Sequence, residues 1–231
     1  MSSKWPTTPL SVGRARARLQ RTLEEYCFLD THLRAAENTS FRVCLFGSAR
    51  LTAADPLYQT VFNLSRALAA RGMDVITGGG PGLMEAANAG VRAATACSRS
   101  YGLTLDLPAL DQAANAHLDI KSSHKRFSSR LDEFVRLSHG VVVAPGGIGT
   151  LLELMYVWQL LQVKMIEPRP VVLLGATFWN GFLRWVAGTQ AAQGFLSVQD
   201  LDYLQVADSV AEVVERMARE QARWTTEGVM M

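Results

Sequence analysis

The sequence predicts an α/β fold: one doubly wound domain whose parallel sheet is covered by helices on both faces. Three observations predict it. Short runs, FRVCLFGS (41–48), MDVITGGG (73–80), YGLTLDLP (101–108), GVVVAPGG (140–147) and PVVLLG (170–175), recur along the chain with helix-like segments between them. The runs are largely apolar rather than strictly alternating, as strands buried on both faces are. Three glycine-rich turns, at 47–48, 78–82 and 146–149, fall at the carboxyl ends of these strands, where open parallel sheets bind ligands.

In chain order, residues 1–12 are polar with Pro6 and Pro9 and read as a loose arm. Leu19, Leu23, Tyr26, Cys27, Leu29 and Leu33 recur at helical spacing and predict an amphipathic helix over 13–36. From Tyr58 to Arg71 apolar residues return every three or four positions, and Gly72 closes that helix. Pro81 stands where the next helix should begin, ahead of LMEAANAGVRAA (83–94). Residues 109–123 read as loop and HKRFSSRLDEFVRLS (124–138) as a helix. Thr150 opens a further helix through Val163; FWNGFLRWV (178–186) and segment 207–224 complete the set. No repeat, low-complexity linker or shift in composition marks an internal boundary. The expected division is an N-terminal arm and helix over 1–40 and one doubly wound domain over 41–231.

Composition excludes several classes of function. The 231 residues carry 23 Lys plus Arg against 21 Asp plus Glu, a net charge of +2, which leaves no footprint for nucleic acid or an anionic membrane. No apolar stretch is long enough to span a bilayer, and the N-terminus lacks the apolar core of a signal peptide. Cys27, Cys44 and Cys97 are widely spaced, with no CxxC pair and no His at ligand spacing. A disulfide framework and a structural zinc site both fall away, and a cytoplasmic protein with no metal is expected.

Three stretches carry candidate chemistry. In Pro145-Gly146-Gly147-Ile148-Gly149-Thr150, the glycines let backbone approach an anion, and the following helix aims its N–H groups and dipole at the same place. The Lys of a P-loop is missing, so P-loop ATP hydrolysis is not expected. Glu153 has two readings: the partner of Thr150 in a capping box, or a carboxylate one turn from an anion site. Gly78-Gly79-Gly80-Pro81-Gly82 reads equally as a tight strand-to-helix turn or as part of a phosphate site. Arg126 and Arg130 lie four apart on one helix face, either solvated or holding a phosphate. His139 reads as a turn residue, and Trp158, Phe178, Trp179, Phe182 and Trp185 as core or subunit interface. Ser122-Ser123-His124-Lys125 matches the SxHK of pyridoxal-phosphate decarboxylases by four residues alone, too little to support that chemistry.

Together, PGGIGTLLE (145–153) with Arg130 upstream, GSAR (47–50), GGGPGLMEAANAG (78–90), YGLTLDLP and WQLLQVK (158–164) resemble, in order, the motifs of the Lonely Guy family. That family has long carried the label lysine decarboxylase. The resemblance covers about residues 41–187 and implies a Rossmann-like fold, a homodimer or larger assembly, and no cofactor. It also implies an N-glycosidase that splits nucleoside 5′-monophosphates, AMP or cytokinin riboside monophosphates, into free base and ribose 5-phosphate. Carried over position by position, Glu153 and Arg130 match the catalytic pair. Gly146, Gly147, Gly149 and Thr150 match the phosphate cradle, and Gly47, Ser48, Gly78, Gly79, Gly80, Gly82 and Met84 the nucleotide cleft. The chain departs from the family at Leu131, where a Lys is common, and at His139, where an Asp is common; Arg126 is expected to replace the missing cation. The rival reading is a binding protein of the same fold that holds a nucleotide or a phosphorylated cofactor, as molybdenum-cofactor carriers do. An oxidoreductase would need a dinucleotide site that the sequence does not show.

Overall fold

The computed structural model describes residues 12–37, 39–106 and 113–229. Apart from Val12, the expected N-terminal arm lies outside them, as does the end of the YGLTLDLP run. By its contacts the chain divides into two compact units, residues 1–40 and 41–231. The first contains α1 (Val12–Glu37).

The second unit is an α/β domain built on one all-parallel sheet of seven strands. In chain order its elements are β1 (Arg42–Phe46), α2 (Pro56–Ala69), β2 (Asp74–Thr77), α3 (Leu83–Arg92), β3 (Ser100–Leu105) and β4 (Ile120–His124). There follow α4 (Phe127–Leu137), β5 (Gly140–Val143), α5 (Ile148–Gln162), β6 (Val171–Leu174), α6 (Ala176–Trp185), β7 (Leu204–Ala207) and α7 (Val210–Val229). A π-helical turn (Val186–Ala191) and a 3-10 turn (Val198–Tyr203) join α6 to β7.

Successive side chains of a strand point to opposite faces, and here both faces are buried. Val43, Leu45, Val75, Val142, Val172 and Leu174 pack on one side with Leu64 and Leu68 of α2, Leu83 and Val91 of α3, and Val213 and Met217 of α7. Cys44, Phe46, Ile76, Leu103, Val141, Val143 and Leu173 pack on the other with Phe134 of α4, Leu154 and Trp158 of α5, and Trp179 of α6. The doubly wound, Rossmann-like class is therefore as predicted.

The sheet order is β4-β3-β2-β1-β5-β6-β7. The chain winds outward from β1 to β4, then returns beside β1 as β5 and winds the other way. The reversal opens a crevice between the carboxyl ends of β1 and β5, the place where this topology binds ligands.

Two strands went unread in the sequence. β4, IKSSH, lies in the expected loop and helix start; it is an edge strand whose half-buried and exposed residues alternate, so no apolar run announces it. β7, LQVA, is the other edge and only four residues long. Helix starts also shift. α4 begins at Phe127 rather than at 124. Pro81 stays outside α3, whose N-cap is Gly82 at φ 71°. α5 begins at Ile148 with Gly147 as N-cap, two residues before Thr150. The final helix is α7 rather than 207–224, because β7 takes up Ala207.

Candidate functional site

Backbone hydrogen bonds stitch the three glycine turns together. Ser48 N–H donates to the Pro145 carbonyl at 3.1 Å, and Leu83 N–H donates to the Ser48 carbonyl at 2.9 Å. The first bond spans the crevice between β1 and β5; the second ties in the start of α3. Gly82 has no substitute here: its φ is 71° and a Cβ would lie 2.5 Å from the Ser48 carbonyl oxygen. Gly146 plays a related part, since a Cβ there would lie 2.1 Å from Thr150 Oγ1.

The turn after β2 is set by two asparagines. Thr77 Oγ1 donates to Asn88 Oδ1 at 2.7 Å and accepts the Gly79 N–H at 2.9 Å. Asn115 donates from its backbone N–H to the Gly79 carbonyl at 2.8 Å and from Nδ2 to the Gly80 carbonyl at 2.9 Å. The same Nδ2 lies 3.0 Å from Asn88 Oδ1, and Asn88 is fully buried.

These turns wall a cleft of about 610 Å³, within the range of small-molecule sites. Of the residues singled out in the sequence, Gly47, Ser48, Gly78, Gly79, Gly80, Met84, Arg130, Gly147, Gly149, Thr150 and Glu153 line it. Gly82 and Gly146 sit behind the wall, where they allow the turns to close. Arg126 is exposed at the N-cap of α4 and is not among the lining residues, so it does not replace a missing cation there. The lining also includes Ala49, Arg50, Thr104, Leu105, Phe127 and Ile148, which the sequence reading did not select. Arg50 and Thr104 stand inside two of the quoted motifs, so extending each motif to its last residues would have found them. Nothing in the sequence marks Phe127.

Arg130, from α4, is held from three sides. Its Nε donates to the Leu103 carbonyl at 2.6 Å, its guanidinium lies 5.0 Å from the Phe134 ring centre, and its Nη1 stands 3.6 Å from Glu153 Oε1. A Cβ on Gly78 would lie 2.1 Å from Nη2, so that glycine makes room for the guanidinium. No side-chain capping bond forms at the start of α5, and the capping-box reading of Glu153 gives way to its approach to Arg130.

Both side chains are only 13 % exposed, and burial governs their protonation. Burial pushes the Glu153 carboxyl up to about 7, with Arg130 pulling it back. Burial also lowers Arg130, and Glu153 opposes that shift. Arginine keeps its charge even so. Glu153 thus changes charge near neutral pH, beside a fixed cation and the N–H groups at the start of α5. Such a wall can receive a phosphate, and the carboxyl can accept or donate a hydrogen bond to what the phosphate carries.

The two departures from the family pattern lie away from this wall. Leu131 is buried among the residues of α4. His139 precedes β5 at the opposite end from the Gly147–Thr150 turn, accepts the Arg42 N–H on Nδ1 at 2.9 Å, and stacks on Phe41 with ring centres 5.3 Å apart. It is a packed residue rather than a bare turn residue. Of the aromatic stripe, Trp158 and Trp179 are core, while Phe178 and Trp185 are about half exposed. No group of His, Cys, Asp and Glu placed to hold a metal ion occurs among the described residues, and none of their helices is long and apolar enough to cross a membrane.

Residues 84–217, more than half of the chain, match the family described as possible lysine decarboxylase. The chain belongs to that family. This agrees with the Lonely Guy resemblance, which carries the same old label. The chain is also similar to the pyrimidine/purine nucleotide 5′-monophosphate nucleosidase of Escherichia coli (strain K12), 31 % identical over 115 residues, 47 % of this chain and 25 % of the relative. It spans about a quarter of the length of the curated relatives it matches. Among solved structures, the molybdenum cofactor binding protein of Rippkaea orientalis matches with a TM-score of 0.57 at 21 % identity, over 77 % of this chain and 95 % of that one. The molybdenum cofactor carrier protein of Chlamydomonas reinhardtii matches with a TM-score of 0.56 at 21 % identity, over 79 % and 99 %.

These structural matches correct the expectation of an enzyme. Proteins described as binding or carrying a cofactor share the fold over more than three quarters of this chain, so the family fold does not carry an N-glycosidase assignment. The physical reason is that a phosphate cradle at a switch point serves retention as well as reaction. Hydrolase, glycosidase, phosphoribohydrolase and cytokinin activation are withdrawn as descriptions of this protein. What stands is a nucleotide- or cofactor-binding fold.

Proposed function

We propose that the cleft binds and holds a small phosphorylated ligand, a nucleoside monophosphate or a phosphorylated organic cofactor of the molybdenum-cofactor type. The observation that carries this reading is the convergence of the α5 N-terminus at Gly147–Thr150 with Arg130 of α4 on one cleft. Backbone N–H groups and a fixed guanidinium together complement a phosphate dianion, and the neighbouring apolar walls suit a planar ring.

The residues fit the phosphate-bearing part of such a cofactor. Gly78 leaves the guanidinium space that any Cβ would fill, and Thr150 adds a hydroxyl at the helix start. They do not suggest side-chain ligation of the metal. Cys44, the cysteine beneath the Arg130–Glu153 pair, is fully buried, and its burial pushes the thiol well above its usual range. When bound, the cofactor itself would supply the redox metal; this chain's residues would anchor the phosphate and shield the ring. A homodimeric or larger assembly and a place in the cytoplasm belong to the same reading, as does assignment of residues 41–231 as the binding domain.

Calorimetric titration tests it. AMP and the phosphorylated pterin should each bind once per chain, and adenosine or the dephosphorylated pterin at least tenfold more weakly. Absence of binding by every phosphorylated ligand tried, or steady release of free base from AMP, would overturn it.

A further inference from the structure

Phe127, the first residue of α4, is an aromatic side chain that the fold itself does not employ. It is 47 % exposed, belongs to neither packed core, and makes no ring contact among the described residues. The rest of its stripe is used: Leu131 and Phe134, four and seven residues further on, are buried. Phe127 continues that stripe one turn past the core, and there it lines the cleft together with Arg130.

The strand order gives the cleft a direction. β5, β1, β2 and β3 are consecutive in the sheet, so the carboxyl ends of β5 and β3 stand about 14 Å apart at the usual strand spacing. Gly147–Thr150 follow β5 at one end. Thr104 and Leu105 close β3 at the other, and Phe127 follows β4, whose His124 is in register with Leu105. Arg130 and Glu153 lie between, since the Arg130 guanidinium fills the space over Gly78, just after β2. The β3 end offers mainly apolar surface. Its Thr104 hydroxyl is taken up by β4, 3.2 Å from the Ser122 carbonyl oxygen and 2.9 Å from Ser123 Oγ.

We propose, resting on the reading of the cleft as a phosphorylated-ligand site, that Phe127 is the platform on which the ligand's planar heteroaromatic ring stacks. The phosphate then lies at the Gly147–Thr150 end. An aromatic face left open to water gains free energy when a second ring covers it. Stacking needs no matched hydrogen bonds, because every base or pterin presents a π face. The run of four strands leaves room between ring and phosphate for a sugar or a short carbon chain, passing Arg130 and Glu153. Ring and phosphate are therefore held by different residues, and a sugar phosphate without a ring gains nothing from Phe127.

Calorimetry on the full chain with AMP and with ribose 5-phosphate tests this. Phe127→Ala should weaken AMP by about fivefold or more and leave ribose 5-phosphate within about twofold. Phe127→Trp should keep the AMP affinity, and its added indole emission should be quenched by AMP but not by ribose 5-phosphate. Three results would overturn the platform while leaving the phosphate site standing: AMP affinity indifferent to Phe127→Ala, equal losses for both ligands, or wild-type chain binding ribose 5-phosphate as tightly as AMP. A wild-type chain that binds neither ligand would remove the phosphate site itself, and the platform with it.

Discussion

Arg130 Nη1 stands 3.6 Å from Glu153 Oε1, joining α4 to α5 across the candidate cleft with both side chains 13 % exposed. The pair is buried enough to matter and open enough at one side to meet a ligand. Arg130→Ala removes the guanidinium that pulls the Glu153 carboxyl down and leaves the Leu103 carbonyl without that donor. We expect affinity for AMP to fall at least tenfold by calorimetry, and stability to fall by about 1–3 kcal/mol in urea unfolding. Arg130→Lys should recover less than half of the affinity loss, because an ammonium cannot reproduce the guanidinium fork.

The pH dependence of stability separates two buried groups with opposite signs. Glu153 rises from 4.5 to about 7, so between those values the native state holds the proton more tightly and stability falls as pH rises. His139 drops from 6.5 to about 4, because burial and the nearby Arg42 and Arg169 disfavour its cation. Its contribution is present above pH 6.5 and is lost as pH falls towards 4. The two slopes offset each other in the overlap. Glu153→Gln should therefore expose a stability that rises with pH, and His139→Asn, which keeps an acceptor for the Arg42 N–H, one that falls. Each change should amount to about 1–2 kcal/mol in urea unfolding from pH 4.5 to 7.5, after allowing for partial solvent screening. Identical profiles for both variants would refute the assignment.

Asn88 and Asn115 set the turn that follows β2. Asn88 also donates from Nδ2 to Ser100 Oγ at 2.7 Å, so Asn88→Ala strips partners from several buried groups together. A loss of about 2–4 kcal/mol is expected in chemical unfolding. Asn115→Ala, at a half-buried site, should cost less stability but weaken AMP binding several-fold, because the Gly80 carbonyl loses its side-chain donor.

Two glycines of the site should respond in opposite ways. Gly82→Ala places a Cβ against the Ser48 and Ala49 backbone at a φ of 71°, and about 2 kcal/mol or more should be lost. At Gly147 the φ is −95° and an added Cβ meets nothing within 4 Å. Gly147→Ala should keep the melting temperature within a few degrees while reducing ligand affinity, since the methyl group would enter the cleft wall. Thermal unfolding of the two variants decides between backbone constraint and space for a ligand.

Legibility in the sequence followed the range of the interactions. The five inner strands read from their apolar runs, since residues such as Val141–Val143 are buried on both faces whatever lies beside them. β4 and β7 did not, because an edge strand is defined by the neighbour it pairs with and carries a mixed pattern of its own. The glycine turns read correctly as the walls of the cleft, since conformational freedom and a following helix are local properties. The roles within them did not separate: Gly147 faces the cleft, whereas Gly146 and Gly82 face Thr150 and the Ser48 turn.

The sequence by itself determined the class of fold, the end of the sheet where the cleft opens, and most of the residues that line it. Local patterning and chain order carry that information. Tertiary structure decided the rest. It chose Arg130 over Arg126, since only one faces the Leu103 carbonyl and Gly78. It turned Glu153 from a helix cap towards an arginine on another helix. It joined Asn88 to Asn115, 27 residues away in a segment that no motif marks. Each of these depends on which distant atoms remain to satisfy a buried charge or polar group, and chain order does not record that.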